Sequence, residues 1–389
     1  MKILMAHNRY QNRGGEDESF DSESSLLERY GHRVIRYVKH NDSISEDSIF
    51  NVAVRTLWSV EDYKSIRALI QREKPSLLHV QNHFPLISPA IYYAAKKEKI
   101  PVIQTLRNYR LFCLNAYFFR QGRVCEKCLG QAAPLSGIQH KCYRNSRAGS
   151  IVVSSSIALH RLIKTYVRKV DLFIALTEFA KQKYADNGIP RDKIVLKSNF
   201  VDPDPKIGTG NDNFVLFVGR LSPEKGISTL LRAWKQLGNH ISLHIIGSGP
   251  LEPEVRKATT THLGIEYLGP RPVQEVQEIM GQAKALIFPS LWYEGMPRVI
   301  IEAFAKGTPV ISSKLGAMTT MVTHQKTGLH FCVGNAEELV KQIRWMIEHP
   351  SQWQEMRLLA RQKFEVNYNA ESSYHRLIEI YNQAISAPK

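Results

Sequence analysis

The chain has 389 residues, of which 43% are hydrophobic and 23% are charged. This composition is normal for a soluble globular protein with a large core, and the length favours two domains of ordinary size. No apolar run approaches the roughly 20 residues of a membrane-spanning helix. The apolar part of MKILMAHNRY is also too short for a signal peptide. These features exclude a helical membrane protein and predict a cytoplasmic location.

Positive charge is concentrated in the first half of the chain. Residues 1–200 carry 32 Lys and Arg against 18 Asp and Glu, whereas residues 201–389 carry 20 against 18. A basic surface attracts phosphate groups of any kind. Three interpretations are open: charge that serves solubility alone, an anionic membrane surface as a partner, or nucleic acid as a partner.

Short apolar strands alternate with amphipathic helices over residues 1–200. The predicted strands are Ile3–Ala6, Arg33–Val38, Leu77–Val80, Val102–Leu106, Leu172–Ala175 and Ile194–Leu196. The predicted helices are Glu16–Tyr30, Glu61–Glu73, Ser88–Glu98, Ser150–Val167 and Thr177–Asn187. This spacing indicates a parallel sheet covered by helices on both faces, so residues 1–200 are predicted to form an N-terminal domain.

A segment rich in Pro, Gly, Asn and Asp, residues 201–213, interrupts the alternation and predicts an interdomain linker. The alternation restarts over residues 214–365, and a last helix is predicted within residues 366–389. The fold class is therefore α/β, with two doubly wound domains. Such domains bind ligands at their strand ends, so the cleft between them is the expected site.

The first strand of the second domain ends in Gly219-Arg220, and Lys225 follows at the start of a predicted helix. An Arg and a Lys at a strand-to-helix turn suit a diphosphate, through forked and point-charge contacts respectively. The alternative is a pair of surface cations. Cations do not favour helix N-termini, which argues against that alternative.

Two further strand ends carry tight glycine or proline turns. Gly247 and Gly249 follow the second strand, and Arg271 follows the third. These turns predict places where the backbone approaches a ligand closely. Alternatively, the glycines only supply a positive φ.

The stretch Phe288–Ser312 predicts a strand, a loop, a helix and a second strand. Backbone amides of Gly295, Met296 and Arg298, with Pro297 between them, begin the helix and form a ready anion site. Glu294 lies in the loop, and Glu302 lies eight positions further on in an apolar helix. A Glu on a buried helix usually needs a partner, although a solvated Glu302 is the plain alternative.

The motifs GRLSPEKG, IGSGP and PSLWYEGMPRVIIEAFAKGTPVIS together resemble the retaining nucleotide-sugar glycosyltransferases of sequence family 4, across nearly the whole chain. That family has the GT-B fold, two facing Rossmann-like domains with an interdomain cleft. Its donor motif is E-x7-E, here Glu294 and Glu302. The resemblance implies that Arg220 and Lys225 hold the diphosphate, Glu302 the ribose and Glu294 the transferred sugar. It also implies catalysis without a metal.

The acceptor side is predicted in the first half. Gly14 and Gly15 follow the first strand, where the family has a Gly-Gly loop near the donor phosphates or the acceptor; a simple turn is the alternative. After the fourth strand the family often has a His, but this chain has Arg107, followed by Asn108 and Tyr109. Arg cannot take up a proton, so His83 is the better candidate base. The leaving phosphate can also take the acceptor proton.

Four cysteines lie in a basic, aromatic insertion at about residues 107–147. Cys125 and Cys128 form a C-x2-C pair, with Cys113 before it and Cys142 after it. In a cytoplasmic protein such a set favours a metal over disulfides, and four thiolates would form a closed structural zinc site. Free or redox-active thiols and disulfides are the alternatives. The separate Cys332 is predicted to be buried.

The sequence therefore predicts a retaining glycosyltransferase that moves a sugar from a UDP- or GDP-sugar to a hydroxyl of a glycan or lipid-linked saccharide, as in polysaccharide biosynthesis. No catalytic cofactor and no nucleic acid are expected. The basic insertion favours a peripheral position at the inner face of an anionic membrane. A nucleotide-sugar epimerase of the same fold and a zinc-stabilised nucleic-acid-binding protein are the alternatives.

Overall fold

A computed structural model of the chain describes residues 1–11, 14–46, 49–261 and 264–387. The chain forms two compact units, each built on one six-stranded parallel sheet. The first unit comprises Met1–Phe118, Cys125–Ser198 and Ser373–Lys389, and the second comprises Phe119–Val124 and Asn199–Ser372. The predicted fold class, α/β with two Rossmann-like doubly wound domains, is confirmed.

The strands follow the predicted order, with one additional short hairpin. They are β1 (Lys2–Arg9), β2 (Arg33–His40), β3 (Leu77–Asn82), β4 (Val102–Leu106), β5 (Phe119–Arg120), β6 (Arg123–Val124), β7 (Leu172–Ala175), β8 (Ile194–Leu196), β9 (Phe214–Val218), β10 (Ser242–Ile246), β11 (Ile265–Gly269), β12 (Ala285–Phe288), β13 (Val310–Ser313) and β14 (Gly328–Phe331).

The helices cover the two sheets. They are α1 (Gly15–Arg29), α2 (Ile49–Leu57), α3 (Val60–Glu73), α4 (Ala90–Lys97), α5 (Leu135–Gln139), α6 (Arg147–Leu162), α7 (Thr165–Lys169), α8 (Glu178–Ala185), α9 (Ile227–Leu237), α10 (Glu252–Thr261), α11 (Val273–Gln282), α12 (Arg298–Ala305), α13 (Met318–Met321), α14 (Ala336–Glu348), α15 (Pro350–Asn367) and α16 (Ala370–Ser386). The single helix predicted over Ser150–Val167 is divided into α6 and α7, because Lys164 is left-handed with φ 54°.

The first sheet has the strand order β2-β1-β3-β4-β7-β8. Its central strands β3 and β4 are buried along their whole length, as expected for apolar strands covered on both faces. The core joins strand residues to helical ones, including Ile3, Phe20, Ile103, Leu377 and Tyr381. Because the strands are parallel, the segments after β1, β3 and β4 emerge at one edge of the sheet, which brings the predicted acceptor-side residues together.

The second sheet has the strand order β11-β10-β9-β12-β13-β14. β9 pairs with β10 on one side and with β12 on the other. The predicted donor residues of this unit follow β9, β10, β11 and β12, which are neighbours in the parallel sheet, so they also emerge at one edge. The core beneath them includes Phe217, Trp234, Ile245, Ile287 and Trp353.

The predicted linker, residues 201–213, falls within the second unit. Gly208 donates its N–H to the carbonyl of Lys306 at 2.9 Å, and Gly210 donates to the carbonyl of Gly281 at 2.8 Å. A Cβ at Gly208 would lie 2.2 Å from the Gly281 carbonyl oxygen. The segment is therefore packed along the second unit by close backbone contacts.

The last helix, α16, packs in the core of the first unit through Leu377, Ile380 and Tyr381. Its stacked Tyr374 and Tyr30 rings have centroids 3.7 Å apart. The C-terminal helix thus belongs to the first unit. Over the described parts of the chain, no helix is both long enough and apolar enough to cross a bilayer.

Candidate functional site

The end of β9 differs in detail from the predicted helix start. Pro223–Lys225 form one turn of 3-10 helix, and α9 begins only at Ile227. Gly226 between them is left-handed, with φ 77°, and a Cβ there would lie 1.9 Å from the Pro289 carbonyl oxygen. This close approach places Lys225 against the segment that follows β12. Arg220 is exposed at the same strand end.

Lys225 and Glu294, 69 positions apart, form an ion pair with 2.7 Å between Nζ and Oε1. The same carboxylate oxygen accepts hydrogen bonds from Ser290 Oγ and Trp292 Nε1, each at 2.8 Å. Glu294 is buried, with only 6% of its surface exposed. Three donors thus hold one carboxylate in place. Sequence reasoning missed Ser290 and Trp292, although both lie within four residues of Glu294.

Glu302 lies on α12 and is more exposed than the sequence suggested. Its side chain is 21% exposed, and Oε1 is 3.8 Å from Arg298 Nε. The helix itself is largely buried, as predicted, through Ile300, Ile301 and Phe304. Glu302 therefore sits on the accessible side of a packed helix, where a ligand can reach its carboxylate.

Met296 and Pro297, which precede α12, are buried. The Met296 carbonyl accepts from Asn199 Nδ2 at 3.4 Å, and its sulfur lies 3.2 Å from the Asn199 nitrogen. Met296 thus fixes the start of α12 against Asn199, the first residue of the long segment of the second unit.

The glycines at the ends of β9 and β10 are needed for backbone packing. Gly247 has φ 135°, and a Cβ there would lie 2.0 Å from the Gly219 carbonyl oxygen. Gly249 has φ 156°, and its Cβ would lie 2.5 Å from the Leu221 carbonyl oxygen. These backbone contacts alone require glycine at both positions, whether or not a ligand binds there. Arg271 is exposed and lies 3.6 Å from Glu275.

Gly14 is the N-cap of α1 and has extended backbone, with nothing within 4 Å of a Cβ built there. Its N–H donates to Asp17 Oδ2 at 3.1 Å, and Asp17 Oδ1 lies 2.7 Å from His7 Nε2. The first turn of α1 carries three carboxylates, on Glu16, Asp17 and Glu18. Carboxylates already complement this helix end, which disfavours a phosphate at Gly14 and Gly15. The phosphate contact there stays a prediction.

The glycine loop nevertheless meets the end of β4. Asn108 Nδ2 donates to Glu16 Oε1 at 2.9 Å, and Tyr10 donates its hydroxyl to Glu16 Oε2 at 3.1 Å. The structure thus unites two of the predicted acceptor-side segments. Tyr109 is different: it is 2% exposed and packs against Phe118 and Tyr184, so it serves the core.

Arg107 is part of a buried polar network that sequence reasoning missed. Its Nε donates to Gln81 Oε1 at 2.8 Å, and Gln81 donates to Glu23 Oε1 at 2.5 Å. Glu23 Oε2 accepts from Lys197 Nζ at 2.7 Å. Burial alone would raise the pKa of Glu23, but Lys197, His79 and Arg107 lower it to about 2. The only sequence signal was the position of Glu23 on the apolar face of α1, which it shares with Phe20 and Leu27.

His79 connects this network to the last helix. Its Nδ1 lies 2.8 Å from the Tyr381 hydroxyl, and its Nε2 lies 2.7 Å from Thr105 Oγ1. Burial lowers the pKa of His79 to about 4. His79 is fully buried, so it serves the fold of the first unit.

His83 lies past β3 but is enclosed by tyrosines. Its Nδ1 is 3.1 Å from the Tyr92 hydroxyl, and its Nε2 is 3.4 Å from the Tyr166 hydroxyl. Burial, then His160 and Arg110, lower the pKa of His83 to about 3. A group with such a pKa is a weak base at neutral pH, which argues against general-base catalysis by His83.

Two small cavities, open to solvent, flank His83 and Arg110. The first lies between α2, α6 and the segment after β3, and its apolar lining includes Phe84, Ile87, Val153 and Ile157. Arg107 and Asn108 line the second. The guanidinium carbon of Arg110 lies 4.4 Å from the centroid of the Phe84 ring. Arg110, absent from the predicted site, is thus the cation common to both cavities.

The four cysteines of the insertion are free thiols in one lobe. Cys113 and Cys128 are buried, and burial, followed by the other three thiols, raises the pKa of Cys128 to about 11. Among the residues that the structure describes, no three or more His, Cys, Asp or Glu side chains are arranged to hold a metal ion. The closed zinc site stays a prediction from the sequence. Cys332 is exposed, and its predicted burial is wrong, because β14 ends at Phe331.

Two family models match consecutive parts of the chain. Residues 24–205 match the model described as Glycosyltransferase Family 4. Residues 203–363 match the model described as Glycosyl transferases group 1. The two matches together extend over residues 24–363, so they include most of both units.

Curated relatives match at modest identity. The chain is 26% identical over 226 residues to the amylovoran biosynthesis glycosyltransferase AmsK of Erwinia amylovora, covering 54% of this chain and 56% of that protein. It therefore spans little more than half of that relative's length. It is 24% identical over 322 residues to D-inositol 3-phosphate glycosyltransferase of Rhodococcus erythropolis, covering 79% and 68%.

A solved structure shares the whole fold. The crystal structure of Anabaena Alr3699/HepE in complex with UDP aligns with a TM-score of 0.70 at 16% identity, covering 98% of this chain and 100% of that chain. At this identity the likeness shows the fold alone. The chain therefore has the fold of the GT-B proteins, and its two consecutive parts are similar to glycosyltransferases of family 4 and of group 1.

Proposed function

We propose that this protein is a retaining glycosyltransferase that moves a sugar from a UDP- or GDP-sugar to a hydroxyl of a glycan or lipid-linked saccharide. The observation that carries the proposal is the pair Lys225 and Glu294, with Glu302 eight positions further on. All three lie at one edge of the second sheet, in a chain matched by two glycosyltransferase family models. The Anabaena structure, solved with UDP, supports a nucleotide sugar as donor.

The donor is assigned to the second unit. Glu302 is placed to accept hydrogen bonds from the ribose hydroxyls, because its carboxylate is accessible beside Arg298. Glu294, fixed by Ser290 and Trp292, is assigned to hydroxyls of the transferred sugar. Arg220 and Lys225 are assigned to the diphosphate, since forked and point-charge cations suit phosphate oxygens.

The reaction exchanges one glycosidic bond for another. The bond between the sugar C1 and the diphosphate oxygen breaks, its electron pair goes to the diphosphate, and the acceptor oxygen bonds to C1 on the same face. Lys225 and Arg220 stabilise the charge that develops on the leaving diphosphate, so the proposed catalysis uses no metal. The acceptor proton passes to the leaving phosphate, because His83 is too weak a base.

The acceptor is assigned to the first unit, at the cavities beside Arg107, Asn108 and Arg110. Arg110 supplies a cation for a phosphate-linked saccharide, and Phe84 and Ile157 supply apolar lining for its lipid. The basic surface of this unit fits a peripheral position at the cytoplasmic face of an anionic membrane. The proposal therefore places the enzyme where lipid-linked saccharides are extended.

A thermal-shift panel of nucleotide sugars tests the donor assignment. A true donor binds only the folded chain and stabilises it by about 2.7 kcal/mol at 100 times its dissociation constant. We expect one nucleotide series, UDP or GDP, to stabilise the protein in the presence of EDTA. Stabilisation by none of them would refute the donor assignment. Conversion of the donor to an isomer without any acceptor would instead support the epimerase alternative.

A further inference from the structure

We propose that the outer side of helices α2, α5 and α6 is a membrane-docking face that inserts apolar side chains into an anionic lipid bilayer. We call it the apolar face and define it by six exposed side chains: Phe50, Val54, Leu135, Ile151, Leu159 and Leu162. The inference rests on the proposed lipid-linked acceptor for its biological purpose, but the docking itself does not require sugar transfer.

The exposure of these side chains is unusual for a water-facing helix. Leu162 is 80% exposed, Phe50 76% and Leu135 64%. On α6, Ile151, Leu159 and Leu162 recur at spacings of eight and three residues, so they share one stripe of the helix. The opposite stripe carries Val153 and Ile157, which are buried. α6 is therefore apolar on both sides, and the apolar side chains of its outer side are exposed.

The helices of the face are joined to one another. Ser156 Oγ donates to the Thr56 carbonyl at 3.2 Å, and His160 Nε2 lies 3.0 Å from the Leu57 carbonyl oxygen. α5 packs against α6 as well. Exposed side chains on the three helices therefore belong to one local surface of the first unit.

The charge around this surface indicates an anionic lipid bilayer as the partner. Between Glu126 and Asp171 lie 44 residues that carry eight Lys and Arg and no Asp or Glu. Five of these cations are exposed and lie at the start of α6 or within six residues of its ends: Lys141, Arg144, Arg147, Lys164 and Arg168. Around α5 and α6, exposed apolar side chains are bordered by cations and not by carboxylates, whereas Glu46 and Glu61 lie on either side of α2. The surroundings of α5 and α6 match an anionic bilayer, which offers an apolar interior beneath a negative surface. The phosphates of a nucleic acid would pair with the cations, but they would not contact the apolar side chains of Leu162 and Phe50 favourably.

The same helices connect the face to the acceptor cavity. Thr56 on α2 and Val153, Ser156 and Ile157 on α6 line the cavity that contains His83 and Arg110. Their inner sides form the cavity, and their outer sides form the apolar face. The apolar face and the cavity therefore share two helices.

Cosedimentation of the full chain with vesicles tests the docking face. We expect binding to vesicles of phosphatidylcholine with phosphatidylglycerol at low salt, and none to phosphatidylcholine alone. The double variant F50S/L162S should bind at least about tenfold more weakly, since two inserted side chains are lost. R168E/K164E should weaken binding and reduce its dependence on salt. Both pairs of side chains are exposed, so the variants should fold.

Matched controls come from the second unit. Leu358 is 58% exposed and Val366 63% exposed on α15, and L358S/V366S should bind vesicles as the wild type does. Equal vesicle binding by F50S/L162S and wild type would overturn the inference. So would wild-type binding to RNA but not to vesicles, or a concentration-dependent dimer that F50S/L162S abolishes. Because no donor sugar is present, each of these results leaves the proposed transferase function standing.

Discussion

The partly exposed Lys225 and the buried Glu294 form an ion pair, with 2.7 Å between Nζ and Oε1, beyond the ends of the neighbouring strands β9 and β12. The cation assigned to the diphosphate and the carboxylate assigned to the sugar therefore hold each other before any ligand binds. This arrangement fixes both groups in position. Binding of a diphosphate would give Lys225 a second anionic partner without moving Glu294, which Ser290 and Trp292 also hold.

Replacing Lys225 by Met should lower turnover by a factor on the order of 100–1,000, because the developing charge on the diphosphate loses a fixed cation. The effect should fall mainly on kcat, measured by release of the nucleotide diphosphate. K235M, an exposed Lys on the following helix α9, is the matched control and should keep wild-type turnover. Undiminished turnover in K225M would show that the cation does not act on the leaving group.

Replacing Glu302 by Ala should weaken donor binding while the fold stays intact. Its pairing with Arg298 is long, at 3.8 Å, and partly exposed, and such pairs contribute about 0–1 kcal/mol to stability. We expect the dissociation constant for the nucleotide diphosphate, measured by calorimetry, to rise by about tenfold or more because ribose hydroxyls lose a charged acceptor. E355A, an exposed Glu on α15, should not change it. An unchanged affinity in E302A would show that Glu302 does not bind the ribose.

The first unit should lose stability as the pH falls below about 6.5, the pKa of His in an unfolded chain. The folded pKa values are about 4 for His79 and about 3 for His83, lowered by burial. Between these values the unfolded chain binds protons that the folded chain does not, so the free energy of unfolding decreases with falling pH. Below about pH 4.3, Glu23, with its pKa of about 2, adds a further loss.

Thermal unfolding at a series of pH values measures this loss. H83Q should show a flatter decline between about pH 6.5 and pH 4 than the wild type, since one of the titrating rings is gone. H375Q removes an exposed His on α16 and should leave the slope unchanged. If the wild-type unfolding temperature does not fall between about pH 6.5 and pH 4, the lowered pKa values of His79 and His83 are contradicted.

Thiol reactivity should separate the cysteines by their surroundings. Cys113 and Cys128 are buried, and burial raises the pKa of both thiols, so they should react slowly with a thiol reagent in the folded protein. Cys332 is exposed and should react faster, although its hydrogen bond to Glu338 raises its pKa too. Peptide mapping by mass spectrometry gives the order. Rapid labelling of Cys113 before Cys332 would contradict it.

Metal analysis of the same preparation addresses the zinc prediction. About one zinc per chain in the wild type, lost in C125S and kept in C332S, would support an ion in the cysteine lobe. A wild type without zinc would refute the prediction. The C332S control is matched because Cys332 lies outside the lobe.

The sequence predicted both sheets well, because apolar strands at regular spacing have few alternatives in an α/β protein. It also placed Glu294, Lys225 and Arg107 at strand ends. It missed the network around Glu23 and Lys197, since 174 residues separate these partners and nothing local marks their contact. It missed α2 as well, whose apolar residues lie partly on the outer side and give no inward-facing pattern.

The acceptor side was harder to predict for a physical reason. His83 was a reasonable base by position, but its two tyrosine partners come from α4 and α7, and burial between them removes its basicity. Local sequence does not report such an environment. The glycines Gly247 and Gly249 show the converse, because backbone packing alone accounts for a motif that also suits a ligand.

The most direct test of the proposed function is transfer of a radiolabelled sugar from the donor that stabilises the protein to a lipid-linked saccharide fraction. The reaction is run in EDTA, with K225M as the inactive control. We expect label in the lipid fraction with the wild type, at least about 100 times more than with K225M. Label that stays in the donor, or equal transfer by K225M and wild type, would contradict it.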